Sequence, residues 1–399
     1  MRQLHTGIVG AVAAAATLSA NAQFGGFADQ DTLGLILGSD PHEALIGDLD
    51  HDGDRDIVVA NDLDHNVMIL LNTDGIFILN ETLGVGLQPK SAALGDVNGD
   101  GFLDVVTANW LTDDATVLLN DGDGTFTPDG TYPVGNQPRR IVLADLDGDC
   151  DLDLAVVNEA NDTLTVCFNN GNGGFASSPP YSTGATPFDI DAADLDRDGD
   201  IDLVVTNLAG NSISFYPNQL GLGVFSVQVV LPAAAPRQLA VADVNGDGHK
   251  DICATSGSLD LVHVLLGAGF GTFDPVETYP IDADSPDGII VADLDLDGDP
   301  DIATENSISN DVSVLLNDGQ GAFALHDTTF AIGAGGRTIA VGRIDDDWDL
   351  DLLVTNAGPN TVSILYNLSG NLPSADIDGD GCVGVPDLLQ LLAAWGVCQ

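Results

Sequence analysis

Positive charge is what this 399-residue chain has least of: 10 Lys and Arg stand against 62 Asp and Glu, a formal net charge of -52. That imbalance excludes binding of nucleic acid or an anionic membrane through the bulk surface, since both would be repelled. Long apolar runs are scarce as well. Past the N-terminal segment nothing reaches the roughly 20 apolar residues a spanning helix needs. Helical periodicity is absent until the last 15 residues, which points to an all-β class. No GxSxG, HExxH or Cys-His arrangement occurs, and the seven histidines are scattered, so the common nucleophile and zinc-hydrolase signatures are missing.

What is present is apolar and glycine-rich: 44% hydrophobic residues and 47 glycines, too apolar for a disordered acidic tail. The chain is therefore expected to fold and to carry its charge on loops, with bound cations offsetting self-repulsion. Residues 1–22 read as a signal peptide. Met1-Arg2 precedes an apolar stretch from Ile8 to Ala20, and Ala20-Asn21-Ala22 forms an A-x-A cleavage site. A secreted, extracellular or surface-associated mature chain starting near Gln23 is expected, monomeric and without a membrane span. Five cysteines permit disulfides but leave at least one unpaired.

Seven acidic loops recur. They begin at Asp48, Asp96, Asp145, Asp194, Asp243, Asp293 and Arg343, at spacings of 48, 49, 49, 49, 50 and 50 residues. Each unit has an apolar run ending at the loop (Ile141 to Ala144), a second after it (Leu203 to Asn207) and a third (Val312 to Leu316). A Gly-rich turn and a fourth strand opened by an aromatic complete the unit: Phe77, Phe126, Phe175, Phe225, Phe273 and Phe323. Four short strands at a period just under 50 describe a propeller blade. Residues 23–370 are thus expected to form a seven-bladed β-propeller. The seventh unit has no fourth strand of its own, whereas Gly25-Gly26-Phe27 through Leu37-Gly38 resembles one without a blade. The N-terminal segment is expected to complete blade seven, leaving no open sheet edge.

The loops follow D-x-[DN]-x-D-G-x-x-D. Carboxylates or one Asn at positions 1, 3, 5 and 9, with Gly at position 6 for a left-handed turn, set hard oxygen ligands around one point, which selects calcium. The candidate ligands are Asp48, Asp50, Asp52 and Asp56; Asp96, Asn98, Asp100 and Asp104; Asp145, Asp147, Asp149 and Asp153; Asp194, Asp196, Asp198 and Asp202; Asp243, Asn245, Asp247 and Asp251; and Asp293, Asp295, Asp297 and Asp301. Solvated acidic turns are the alternative, disfavoured by the regular spacing. Cys150 holds the glycine position of the third loop and Arg343 the first position of the seventh. Six calcium ions with a structural role are expected, with the Arg343 guanidinium replacing the seventh by pairing with Asp345, Asp347 and Asp351. The pattern, in units with Pro before the first strand, resembles the FG-GAP and VCBS-type repeats of integrin α propellers. The resemblance spans about Phe24 to Tyr366.

Residues 371–399 form a separate tail. Asp376, Asp378 and Asp380, Gly381 at position 6 and Asp387 at position 12 match an EF-hand loop, followed by a short helix. The unit resembles one half of a dockerin, which implies one further calcium and a cohesin-like partner. A dockerin ordinarily has two such units, and a cation-binding sorting or anchoring tag without a cohesin partner is the alternative. Cys382 and Cys398 are placed to staple a unit too small for a real core.

Six positions before each loop stand His42, Lys90, Arg139, Phe188, Arg237, Asp287 and Arg337, preceded by Pro in six of seven blades. In a closed ring these positions share one mouth of the channel, opposite the loops, with Arg140 and Trp110 on the same face. Lys90, Arg139, Arg140, Arg237, Arg337 and Trp110 are candidate ligand residues for a polysaccharide or surface protein, through Arg forks and aromatic stacking. The same cations can instead pair with Glu43, Asp189, Asp284 and Asp287 to join blades. Cys167 and Cys253 read as small core residues. The chain reads as a binding or adhesion module without catalytic residues; a passive display protein and a polysaccharide lyase or glycosidase using Asp113 with Asp114 or Asp284 with Asp287 remain as alternatives.

Overall fold

A computed structural model describes residues 24, 26–28, 31–34, 40–73, 75–226, 229–345 and 347–369. Residues 1–22 and the tail 371–399, with Asp376, Asp378, Asp380, Asp387, Cys382 and Cys398, lie outside them. The described chain is all-β apart from one 3-10 turn at Glu159–Asn161, and its seven blades are antiparallel sheets taken in chain order. Blade four shows the plan: Pro187–Ala193 is innermost, then Asp202–Asn207, Ser212–Tyr216 and, outermost, Val229–Pro232. The innermost strands touch one another around the ring, the seventh (Gly336–Gly342) meeting the first (Pro41–Gly47). No described helix is long and apolar enough to cross a membrane.

Blade seven closes as the sequence suggests. Asp31–Gly34 pairs antiparallel with Thr361–Leu365, in register from Asp31 against Ile364 to Gly34 against Thr361. Ahead of it Phe27 bridges Asn367, and the Ala28 N–H reaches the Tyr366 carbonyl at 2.8 Å. Gly25 and residues 35–39 of that segment lie outside the described residues.

The core lies between blades, not within them. Seven apolar clusters each join two neighbours; one brings Val58, Ile69 and Leu49 of blade one against Ala92, Val105 and Leu118 of blade two. Because each sheet is covered on both faces, the second strand of every blade is buried along its whole length, as in Asp251–Ser256, which explains continuous apolar runs in place of alternation. Cys253 lies in the second strand of blade five and Cys167 in the third strand of blade three, both fully buried, and burial pushes both thiols up. Outer strands are largely exposed and vary in length, from nine residues at Ile76–Gly84 to short pieces elsewhere. In blade three the outermost strand splits into Phe175–Ser177 and Tyr181–Ser182 around Pro179 and Pro180, which have no N–H to pair. The aromatics opening these strands pack edge-on against a tyrosine of the preceding blade: Tyr132 with Phe175, Tyr181 with Phe225 and Tyr279 with Phe323, at 5.4–5.6 Å.

Candidate functional site

Six acidic loops are wound by their own side chains. Asp96 takes the N–H groups of Gly99 and Asp100 on Oδ1 (2.7 and 3.1 Å) and that of Gly101 on Oδ2 (2.8 Å). The position-6 N–H reaches the first carboxylate in four further loops, from Cys150, Gly199, Gly248 and Gly298, at 2.8–3.2 Å. Two backbone sites per loop are left-handed. At position 6 the φ is 101° at Gly53 and 75° at Cys150; at position 4, which is Gly in three loops (Gly99, Gly148 and Gly246), His51, Arg197 and Leu296 adopt φ of 61°, 65° and 62°.

Cys150 is therefore strained where glycine is not. Cys150→Gly should raise stability by about 1 kcal/mol, read as a higher unfolding midpoint in urea; an unchanged or lower midpoint would show that the thiol contributes something the backbone argument omits.

The side chains converge. Carboxylate oxygens lie within 4.8 Å of one another in Asp48/Asp50/Asp56, Asp145/Asp147/Asp153, Asp194/Asp196/Asp202 and Asp293/Asp295/Asp297. Oδ1 of Asp48, Asp147, Asp243 and Asp293 is buried without a hydrogen-bond partner, an arrangement costly for anions unless a cation sits among them. In the second and fifth loops the position-3 amide leans on the position-5 carboxylate, Asn98 Nδ2 to Asp100 at 2.9 Å and Asn245 Nδ2 to Asp247 at 3.1 Å. An all-oxygen donor set of this charge fits a hard divalent cation.

The position-9 aspartates do something more. Each is buried and accepts two backbone N–H groups, one from loop position 2 and one from 16 residues onward. For Asp202 these are Leu195 (3.0 Å) and Asn218 (2.8 Å). The pattern recurs in all seven blades, including the seventh, where Asp351 holds Ile344 and Asn367. Burial pushes these carboxyls up, to about 7 at Asp202 and Asp301 and about 6 at Asp56, Asp104, Asp153 and Asp351, with the two N–H donors opposing the rise.

The residue 16 onward is Asn in six blades, and its amide stitches each blade to the one before. Asn218 Nδ2 reaches the Leu146 carbonyl of the preceding loop at 2.8 Å; Asn120, Asn169, Asn317 and Asn367 do likewise at 2.7–2.9 Å, and Asn72 closes the ring to Ile344 at 3.5 Å. Gly267 breaks the series. These asparagines escaped the sequence reading, although their fixed offset from position 9 was visible there.

The seventh loop is built otherwise, and the expected pairing of Arg343 with Asp345, Asp347 and Asp351 is corrected. Arg343 makes no ion pair among the described residues; its guanidinium carbon lies 5.4 Å from the centre of the Trp348 ring. Trp348 occupies position 6 but takes no left-handed φ, so the turn that brings a position-6 N–H onto a first carboxylate does not form.

At the opposite mouth the structure gathers the candidate rim residues and pairs every cation. Lys90 joins Asp62, Arg139 joins Glu159 (3.2 Å), Arg237 joins Asp287 (3.0 Å) and Arg337 joins Asp40 (3.1 Å). Arg140 spans the channel between Glu43 and Asp189 (3.0 Å). Of the partners named from sequence, Glu43, Asp189 and Asp287 are engaged, whereas Asp284 makes no ion pair among the described residues. Trp110 Nε1 points at the same Glu159 carboxylate at 3.4 Å, and Arg139 stacks 3.6 Å above the Phe188 ring. Below this lattice lies a channel of about 480 Å³ lined by Glu43, Arg140, Asp189 and Asp191.

A second stitch runs round this face. The turn after each second strand offers a side-chain acceptor to the N–H preceding the next innermost strand: Asp113 to Gln137, Asp162 to Thr186, Asn211 to Ala235, Asp260 to Ser285, Asn310 to Gly335, all at 2.8–2.9 Å. His65 serves Gln88 at 3.1 Å, and Asn360 serves Asp40 at 2.9 Å, which closes the circle. Asp113 and Asp114 are thereby engaged in turn geometry, Asp114 accepting from Asn109 and Thr112.

Glu305 is the anomaly of the mouth. Wholly buried, its carboxyl is pushed up to about 8 by burial and then by Asp287, against the pull of the Gly288 N–H, Arg237 and Arg337. It also explains the one blade without Pro: a Cβ on Gly336 would overlap Glu305 Oε1. Native protein keeps a proton that the unfolded chain releases near pH 4.5, so this group's stabilising contribution is present below that pH and lost as pH rises to about 8. Glu305→Gln should match wild type in Tm near about pH 5 and exceed it near about pH 9; a lower Tm at the alkaline end would contradict the assignment.

With this geometry in place, comparison with known proteins decides the family. A family model described as FG-GAP-like repeat matches residues 48–107, 96–156, 145–205, 194–254 and 243–304, more than half of the chain. The chain belongs to the FG-GAP-like repeat family. The overlapping FG-GAP matches each run from one acidic loop into the second strand of the next blade, so the family unit contains the inter-blade contact. No curated protein matches the chain. Among solved structures, BBS1N in complex with ARL6DN is 14% identical with a TM-score of 0.62, over 86% of this chain and 96% of that one. An Agrocybe aegerita lectin, solved for recognition of non-reducing terminal N-acetylglucosamine, is 24% identical with a TM-score of 0.51, over 71% and 79%. Inactive virginiamycin B lyase from Staphylococcus aureus is 13% identical with a TM-score of 0.58, over 85% and 99%. These likenesses are of fold.

Proposed function

We propose that this FG-GAP protein is a secreted, calcium-stabilised binding module that holds a carbohydrate on the propeller body and turns nothing over. The observation that carries the reading is the loop geometry: carboxylates converge in four of the six patterned loops, and in four a buried carboxylate oxygen has no protein donor. Calcium suits the all-oxygen set, and Asp or Asn at positions 1, 3, 5 and 9 would hold it. Bound there, the ion neutralises charge and locks the turn between the two inner strands. The N-terminal segment Met1 to Ala22 supports export.

The channel mouth is the proposed ligand face. Arg237 and Arg337 keep 28% and 41% of their side-chain surface, and a sugar carboxylate or hydroxyl can replace Asp287 or Asp40 as partner. The lectin and the BBS1N complex support a binding role as proteins of similar fold. The experiment is a panel of neutral and acidic polysaccharides presented to calcium-loaded protein with and without residues 371–399, with reducing-end release followed in parallel. Binding that survives tail deletion, weakens in Arg139→Ala/Arg237→Ala and releases no product is expected. Product release would make the chain an enzyme, and binding lost with the tail would move function off the propeller.

A further inference from the structure

The seventh loop has lost the two residues that make the others metal loops, and both replacements carry chemistry of their own. Position 1 is Arg343 and position 6 is Trp348, one of three tryptophans in the chain. Trp348 is 78% exposed, an unusual state for the largest apolar side chain. The two residues meet: the guanidinium sits over the indole ring at 5.4 Å, which fixes the ring while leaving most of its surface to solvent. They line a cleft of about 740 Å³ between blades seven and one, with Arg55 of the first loop on the facing wall and Asn72, Asp345 and Asp347 around it.

Charge placement singles this cleft out. Of the basic residues described, five are consumed in ion pairs at the opposite mouth, and Arg55, Arg197, Lys250 and Arg343 make none. Two of those four line this one cavity, beside the carboxylates of Asp54, Asp345 and Asp347, on a protein of net charge -52. An anion will find few other unpaired cations, and the facing pair is spaced across a cavity of ligand size.

We propose that the cleft between blades seven and one is a binding site for an acidic sugar of the hexuronate class. The apolar face of the pyranose ring lies on Trp348, the carboxylate takes the guanidinium groups of Arg343 and Arg55, and Asp345 accepts a ring hydroxyl. The proposal rests on the reading of the protein as a carbohydrate-binding module, and the site is distinct from the channel mouth on the opposite face. Calcium in the adjoining first loop would add positive charge beside Arg55. The seventh blade has thus exchanged an ion for a ligand platform while Asp351 and Asn367 keep the structural ties common to all blades.

The test uses full-length, calcium-loaded protein with Trp110→Phe and Trp395→Phe, so that Trp348 is the sole indole. The probe is a glucuronate-terminated tetrasaccharide, compared with its glucose-terminated counterpart. The acidic probe should shift Trp348 emission saturably, and the half-saturating concentration should rise about tenfold or more in Arg343→Ala and in Arg55→Ala but stay unchanged in Arg139→Ala/Arg237→Ala. Arg139 and Arg237 serve as the control for the channel mouth, with Arg140 left intact. No shift, an equal response to the neutral probe, or loss of the response in the mouth variant would overturn the proposal. Arg343→Asp/Trp348→Gly, which restores the loop pattern, should bind one fewer probe per chain by calorimetry than the protein with Arg343 and Trp348 and take up one more calcium per chain. A chain that loses the sugar without gaining calcium would sink the metal-loop reading and leave the cleft standing.

Discussion

Asp202→Ala is expected to destabilise the propeller by about 2–6 kcal/mol, because it strands two buried N–H groups at roughly 1–3 kcal/mol each. Leu195 and Asn218 donate to that carboxylate at 3.0 and 2.8 Å, and neither has water to turn to. The loss spreads further. Asn218 is also the residue whose amide ties blade four to the Leu146 carbonyl of blade three, so loosening its backbone loosens a blade junction. Asp202→Asn keeps one acceptor oxygen and should fall between wild type and Ala. Urea midpoints in saturating calcium measure both. An Ala variant within about 0.5 kcal/mol of wild type, the range of an ordinary surface change, would show that position 9 is not a structural hub.

Calcium removal is expected to have a still larger effect. A ligand that binds only folded protein adds about 2.7 kcal/mol per site at a hundredfold excess over its dissociation constant. Six such sites would match or exceed the roughly 5–15 kcal/mol that separates most folded domains from unfolding. Chelation also leaves the converging carboxylates facing one another. The chelated protein should therefore lose its cooperative thermal transition or unfold tens of degrees lower, and restored calcium should recover it. Sodium chloride separates the specific effect from screening of the overall charge: if salt alone restores the transition, the loops act as a charged surface and not as sites.

Much of this was legible in the sequence because the architecture repeats. The 48–50-residue spacing of the loops gives the blade count, and a missing fourth strand in blade seven beside an orphan strand at the N-terminus gives the closure that Asp31–Gly34 makes with Thr361–Leu365. Single-residue contacts were less legible, since they depend on which blade faces which. Position 9 reads as one ligand among four, yet its oxygens also hold two backbone donors. Its partner asparagines, Asn72 through Asn367, stood at a fixed offset but lacked an obvious target until the preceding blade was in place. The seventh blade stood out only as the one without Pro, and Gly336 there gives the space that Glu305 requires. Arg343 read as a cation among acids; the turn fails at Trp348, so the guanidinium lies over the indole instead.

Metal in six ring loops and not in the seventh is the feature on which stability and function both depend. Crystals of the full chain grown in calcium, with anomalous differences collected at long wavelength, address this directly. Six peaks are predicted in the ring, each among the carboxylates of the loops that begin at Asp48, Asp96, Asp145, Asp194, Asp243 and Asp293, and none in the loop that begins at Arg343. Empty loops at full occupancy of calcium in the buffer, or a seventh ring peak beside Arg343, would contradict it.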